Sequence, residues 1–150
     1  MYVRLTDSAF LAAQKKLLKE RIRWRIKGHA DYAEARIGVA VVSQPRCRGV
    51  LVLQSRRFGD LKYGFTLLYR GGERILGLDV NPGRWHIDSR TLKSIQGTHW
   101  QEIPDMSAAT PDPRILSHRQ WLEEFLRKAN IEPIYWYKSP PRGEQLLLDL

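Results

Sequence analysis

The residues best equipped for chemistry lie between Asp79 and Gln101. The run Asp79-Val80-Asn81-Pro82-Gly83-Arg84-Trp85-His86-Ile87-Asp88 continues downstream to Gly97-Thr98-His99-Trp100-Gln101. It holds two of the four histidines of the chain, the others being His29 and His118. Two histidines and an arginine suffice to cut RNA without a metal. One imidazole takes the 2′-hydroxyl proton, the other protonates the leaving oxygen, and an arginine holds the phosphate. The candidate catalytic set is His86, His99 and Arg84, with Arg90 as the alternative to Arg84 for holding the phosphate. Asp79, His86, Asp88 and His99 also carry the atoms of a metal site or an acid–base pair, but no compact zinc-hydrolase spacing is present. Neither a metal nor a cofactor is expected. The competing reading is structural: Trp85-His86 and His99-Trp100 form two aromatic pairs that anchor an irregular segment. Cys47, flanked by Arg46 and Arg48, is the lone cysteine. It cannot form an internal disulfide or a thiolate cluster, and no base accompanies it as a nucleophile.

Charge supplies the second lead. The formal net charge is +9 over 150 residues. Residues 1–62 contain 14 Lys/Arg against 5 Asp/Glu, and residues 63–150 contain 11 of each, so the first two-fifths of the chain carries the whole excess. A one-sided distribution focuses positive potential and steers a polyanion, with nucleic acid the foremost partner. Lys15, Lys19, Arg23 and Lys27 recur at helical spacing. Arg56-Arg57-Phe58-Gly59-Asp60-Leu61-Lys62 adds two arginines beside aromatics that can stack on an unpaired base, Phe58 and Tyr63. The candidate nucleic-acid-binding set is therefore Lys15, Lys19, Arg23, Lys27, Arg56 and Arg57. The plainer alternative is a solvated helix face and arginines that guard a strand edge.

The segment Leu78–Trp100 resembles one found in small uncharacterised bacterial and phage-associated proteins. The features are a strand ending Leu78-Asp79, then Asn81-Pro82-Gly83, then His86, then Gly97-Thr98-His99. Some such proteins sit among toxin–antitoxin or other mobile-element genes. The resemblance spans about 23 residues, and it implies that context without implying a fold or a catalytic role.

These residues need elements to position them. Apolar residues make up 43% and charged residues 27%, which suits one globular domain over 1–150. Ser8–Lys27 lacks proline and glycine. Leu11, Leu18, Ile22 and Ile26, with Phe10, Leu17 and Trp24 alongside, make an apolar helical face and leave the lysines outward. Four strands follow at Ile37–Ser43, Gly49–Ser55, Tyr63–Tyr69 and Arg74–Val80, with Gly71-Gly72 as a hairpin turn. Arg90–Ile95 reads as a short helical turn and Pro104–Pro113 as a loop. Ser117 caps a second helix, with Gln120 in capping-box position and Leu116 as a staple. His118, at its start, is expected to be exposed. Ile134–Tyr137 reads as a short strand and Gln145–Leu150 as a final strand or docked tail.

The expected fold is α+β: an antiparallel sheet of about four to six strands packed against an N-terminal basic amphipathic helix and a second C-terminal helix. No glycine-rich phosphate loop follows a strand, which argues against a nucleotide fold. No membrane partner is expected, and the cytoplasm is the default compartment. Three functions stay open: a nucleic-acid-binding accessory protein, a small metal-independent ribonuclease, and a protein-interaction module or inhibitor.

Overall fold

The structure, a computed structural model, describes residues 4–82, 85–87 and 94–143, the segments 85–87 and 94–96 by their backbone alone. Two helices are present, α1 (Asp7–Ala12) and α2 (His118–Lys128). The strands are β1 (Lys15–Leu17), β2 (Arg25–Lys27), β3 (Tyr32–Val41), β4 (Arg48–Arg56), β5 (Tyr63–Tyr69), β6 (Glu73–Val80), β7 (Trp85–Ile87), β8 (Ser94–Gln96), β9 (His99–Glu102) and β10 (Asp105–Pro111). Among the described residues, eight strands form one antiparallel sheet in the order β1-β3-β4-β5-β6-β9-β10, with β2 also on β3. β7 and β8 make a separate two-stranded ribbon. The fold is thus α+β as expected, with more strands than expected.

The register explains where the core lies. Ala35, Leu53, Phe65, Leu78 and Trp100 are direct partners across five successive strands, and all are buried. Partners in an antiparallel sheet share a face, so this row is an apolar floor. Helix α2 covers it. Phe125 stacks on Phe65 at 5.9 Å and on Trp100 at 6.0 Å, and Trp121 and Leu122 are buried beside it. The helix begins as its sequence specifies. Ser117 Oγ accepts from Gln120 N at 3.1 Å, and Gln120 Oε1 accepts from Ser117 N at 2.9 Å, which satisfies two amides that a helix leaves unpaired. The opposite face of the sheet carries Glu34, Gln54, Gly64, Asp79 and His99 as one register row.

The long N-terminal helix is not formed. α1 has six residues, capped by Thr6, whose Oγ1 accepts from Ala9 N at 3.2 Å. It is pinned by Phe10, which stacks flat on Tyr69 at 3.9 Å. Gly49 makes room for that ring: an added Cβ would meet Leu68 O at 2.5 Å and Phe10 Cζ at 2.8 Å. From Lys15 onward the chain instead fills the edge of β3. β1 pairs with its last residues and β2 with its first, Lys15 opposite Val41 and Arg25 opposite Glu34. Ten residues of β3 would otherwise leave a free row of amides and carbonyls.

Three smaller expectations also change. The stretch around Pro104–Pro113 supplies edge strand β10, where proline is tolerated because one side needs no donor. Ser94-Ile95 lies in β8, opposite Ile87 and His86, rather than in a helical turn. Ile134–Tyr137 forms no strand. Gln145–Leu150 lies outside the described residues.

His118 is buried rather than exposed. Its ring sits among Trp24, Tyr63, Phe65 and Tyr137, with centroids 4.7–5.8 Å away. Nδ1 lies 2.5 Å from the Tyr137 hydroxyl, and Nε2 is buried without a partner. Burial pushes its pKa down to about 4, from 6.5. The native state therefore binds fewer protons than the unfolded chain between those values, and stability falls as pH drops through that window. The loss from this group is about 3 kcal/mol by pH 4. Urea unfolding of wild type and His118→Phe at pH 7, 6, 5 and 4 should show a shallower decline in the variant. Parallel declines would refute the assignment.

Candidate nucleic-acid interface

The segment Lys19–Lys27 alternates strictly: Lys19, Arg21, Arg23, Arg25 and Lys27 are separated by Glu20, Ile22, Trp24 and Ile26. The chain bends at Lys19–Arg21 and becomes strand β2 at Arg25–Lys27, where successive side chains point to opposite sides. Ile22 turns inward and is 4% exposed. Trp24 packs against the core, and its Nε1 donates to Lys138 O at 3.0 Å. With these two anchored, all five odd-numbered cations face solvent. They line a cleft of about 380 Å³ together with Glu34 and Arg36 from β3.

Six cations thus surround one carboxylate. That carboxylate is already engaged: Glu34 Oε1 lies 3.6 Å from Arg36 Nη2 and accepts from Gln54 Nε2 at 3.3 Å. Among the described residues, none of the five cations from Lys19 to Lys27 forms an ion pair. Cations two residues apart on an extended strand, about 6.6 Å, repel by roughly 0.6 kcal/mol per pair even in water. An anion in the cleft relieves that repulsion.

The six expected contact residues separate into two groups. Lys19, Arg23 and Lys27 line the cleft. Arg56 does not line it but stands in the same cross-strand row as Lys27, with Tyr32 between them. Lys15 and Arg57 do not reach the surface. Lys15 is fully buried, and its Nζ donates to the carbonyls of Phe10, Leu11 and Ala13 at 2.8, 2.8 and 2.6 Å. Burial holds its ammonium down at about 8. Arg57 is 5% exposed and donates through Nη1 to Ala30 O at 2.7 Å. Of the aromatics of that loop, Phe58 stays 44% exposed and Tyr63 is half-buried. Phe58 lies under the Arg57 guanidinium at 5.2 Å and against Gly143, where an added Cβ would sit 1.9 Å from the ring. Tyr63 packs on His118. Arg21, Arg25 and Arg36 are members of the cleft that helical spacing did not select. The alternation of charge with Ile22, Trp24 and Ile26 is the signal for Arg21 and Arg25, and Arg36 joins them only through the pairing of β2 with β3.

The histidine segment is brought together in part. Arg84 lies outside the described residues, and of His86 only the backbone in β7 is described. His99 and Asp79, 20 positions apart, become partners in the β6–β9 register. His99 Nε2 is 3.2 Å from Asp79 Oδ2, and Nδ1 is 3.0 Å from Gly97 O. Arg74 Nη2 approaches the same carboxylate at 3.6 Å. The hydrogen bond to Asp79 raises the His99 pKa against its burial, aided by Gly97 O. Burial alone would raise Asp79, but the His99 and Arg74 interactions outweigh it and hold the carboxyl low. Both ring nitrogens face acceptors, so the arrangement suits an imidazolium that donates twice. Such a ring has no lone pair with which to take a proton. His99 lies five strands from Arg25 on the same face, about 24 Å at ordinary strand spacing. Cys47 is buried, with Sγ 3.2 Å from the Tyr69 hydroxyl.

No protein family, curated protein or solved structure matches the chain. No helix of the described residues is long and apolar enough to cross a membrane.

Proposed function

We propose that the protein binds nucleic acid as an accessory factor, through phosphate contacts along the basic edge of its sheet. One observation carries this reading: Lys19, Arg21, Arg23, Arg25, Lys27 and Arg36 line one cleft with a single, already engaged carboxylate. Arginine forks match phosphate oxygens, and an unpaired cationic row is a ready electrostatic footprint. Phosphate contacts position a backbone without reading bases, so binding is broad in sequence.

Salt dependence is the test. Neutralising about five phosphates gives a slope of log K against log salt near −3.5 for single strands and −4.5 for duplex. Affinity should therefore drop roughly 100-fold or more between 50 and 200 mM salt. A gel-shift or anisotropy series checks this. No binding at 50 mM, or binding indifferent to salt, would refute the reading.

This reading assigns no chemistry to His99. His99→Gln should leave affinity within about twofold, since the residue is some five strand spacings from the cleft. RNA incubated with wild-type protein should remain intact with or without chelator. Cleavage lost on His99→Gln would instead support the ribonuclease alternative.

A further inference from the structure

The basic cleft does not end at Lys19. That residue also lines a second groove, of about 700 Å³, between the β1 edge and the chain that follows α2. Its other walls include Lys16, Leu18, Tyr135 and Trp136. Tyr135 is 91% exposed and Leu18 41%, so an aromatic ring and an aliphatic side chain stand open to water beside the cationic row. Such rings are ordinarily buried, and an exposed one next to a phosphate-binding surface invites a ligand with a flat π-face.

The charges divide the labour. Glu20 and Glu132 also line this groove and balance Lys16 and Lys19. The groove is therefore no phosphate site in its own right. The neighbouring cleft, with six cations to one carboxylate, is. A backbone held along Lys19–Lys27 has its bases free to turn to one side, into a charge-balanced groove with an aromatic wall. Only an unpaired strand can do this, because a duplex keeps its bases stacked inside.

We infer that the preferred ligand is single-stranded nucleic acid, with phosphates along Lys19–Lys27 and at least one base stacked on Tyr135. This rests on the polyanion reading above and goes beyond it in naming the strand state and the stacking residue. Tyr135 is so exposed that its replacement should leave folding intact, which the unfolding midpoint verifies.

The experiment compares anisotropy of a labelled 12-nucleotide oligo(dT) with that of a 12-base-pair duplex, at one salt concentration, for wild type, Tyr135→Ala and Tyr135→Phe. Stacking of one base is worth about 1–3 kcal/mol, or roughly 5- to 150-fold in affinity. Tyr135→Ala should lose that factor for oligo(dT) and lose nothing for the duplex. Tyr135→Phe, which keeps the ring, should bind as wild type. If Tyr135→Ala binds both ligands as wild type does, or weakens both equally, the single-strand inference is overturned while salt-dependent binding stands. If wild type binds neither ligand, both readings fall.

Discussion

Lys15→Met should lower the stability of the fold by about 3 kcal/mol while leaving any nucleic-acid contact surface unchanged. The ammonium is fully buried and donates to Phe10, Leu11 and Ala13 carbonyls. Those oxygens lie at the C-terminal end of α1, where a helix leaves its last carbonyls without intrahelical donors. Methionine fills similar volume but donates nothing, so three acceptors lose one shared partner. The backbone of Lys15, which the substitution leaves in place, makes two further ties. Its N donates to Asn130 O, and its O accepts from Glu132 N, both at 2.8 Å. One residue thus ties α1, the edge of the sheet and the segment after α2. Lys16→Met is the control, because Lys16 is exposed and surface changes cost little, about 0.5 kcal/mol or less. Urea midpoints for the two variants decide the matter: equal midpoints would show that the Lys15 ammonium is not a structural clamp.

This expected result bears on how charge should be counted. Lys15 and Arg57 both contribute to the positive excess of residues 1–62, yet both cations are taken up by backbone carbonyls inside the molecule. The surface field comes from the residues that remain. Six of those twelve, Lys16 and the alternate residues from Lys19 to Lys27, lie along one short edge.

How much of this was legible in the residue pattern differs by element. The four central strands were, because Val, Ile and Leu runs bounded by turn residues leave little choice. Tyr63–Tyr69 has the same bounds in the structure, β4 and β6 extend one residue past the expected bounds at both ends or one, and β3 starts five residues before Ile37 and ends two before Ser43. The Ser117 capping box was legible because its partners are three residues apart and the interaction is local. The N-terminal segment was not, since two periods overlap there. Leu11, Leu18, Ile22 and Ile26 satisfy helical spacing, while Arg21-Ile22-Arg23-Trp24-Arg25-Ile26-Lys27 satisfies a period of two. The open edge of β3 decides between them, and nothing local announces that edge: the tertiary partner overrides helix propensity. The Asp79–His99 pair was named among possible acid–base groups, but its meaning depended on register. The Asp79 contact at one ring nitrogen appears only when β9 is laid beside β6, while Gly97 O, two residues before His99, takes the other locally. His118 stood at a helix start, where exposure is the usual expectation. Trp24, brought in by the edge segment, helps bury it.

The arginine row sets a sharper test of the proposed interface than any single residue, and it carries an opposite sign on stability. Arg21, Arg23 and Arg25 changed together to Gln should lower affinity for nucleic acid by about 100-fold or more, on the basis of charged hydrogen bonds worth roughly 1.5–3 kcal/mol each. The salt slope should become shallower by about 2, since three phosphates fewer release their counterions. The same variant should melt at the wild-type temperature or above it. Its three guanidinium groups make no ion pair among the described residues, and removing them relieves repulsion within a row whose backbone is held by Ile22, Trp24 and pairing with β3. A cation that stabilises the fold would show the reverse, as Lys15 should. Arg119→Gln serves as the control. It lies on α2, which covers the other face of the sheet, and it pairs with Glu123 at 3.4 Å, so its loss should change affinity little. Should the triple variant bind with wild-type affinity and slope, the basic edge is not the interface. Should it bind weakly but also melt well below wild type, the arginines are structural, and the weak binding reports unfolding. Only lost affinity with retained or raised stability fits cations held in place for a ligand outside the molecule.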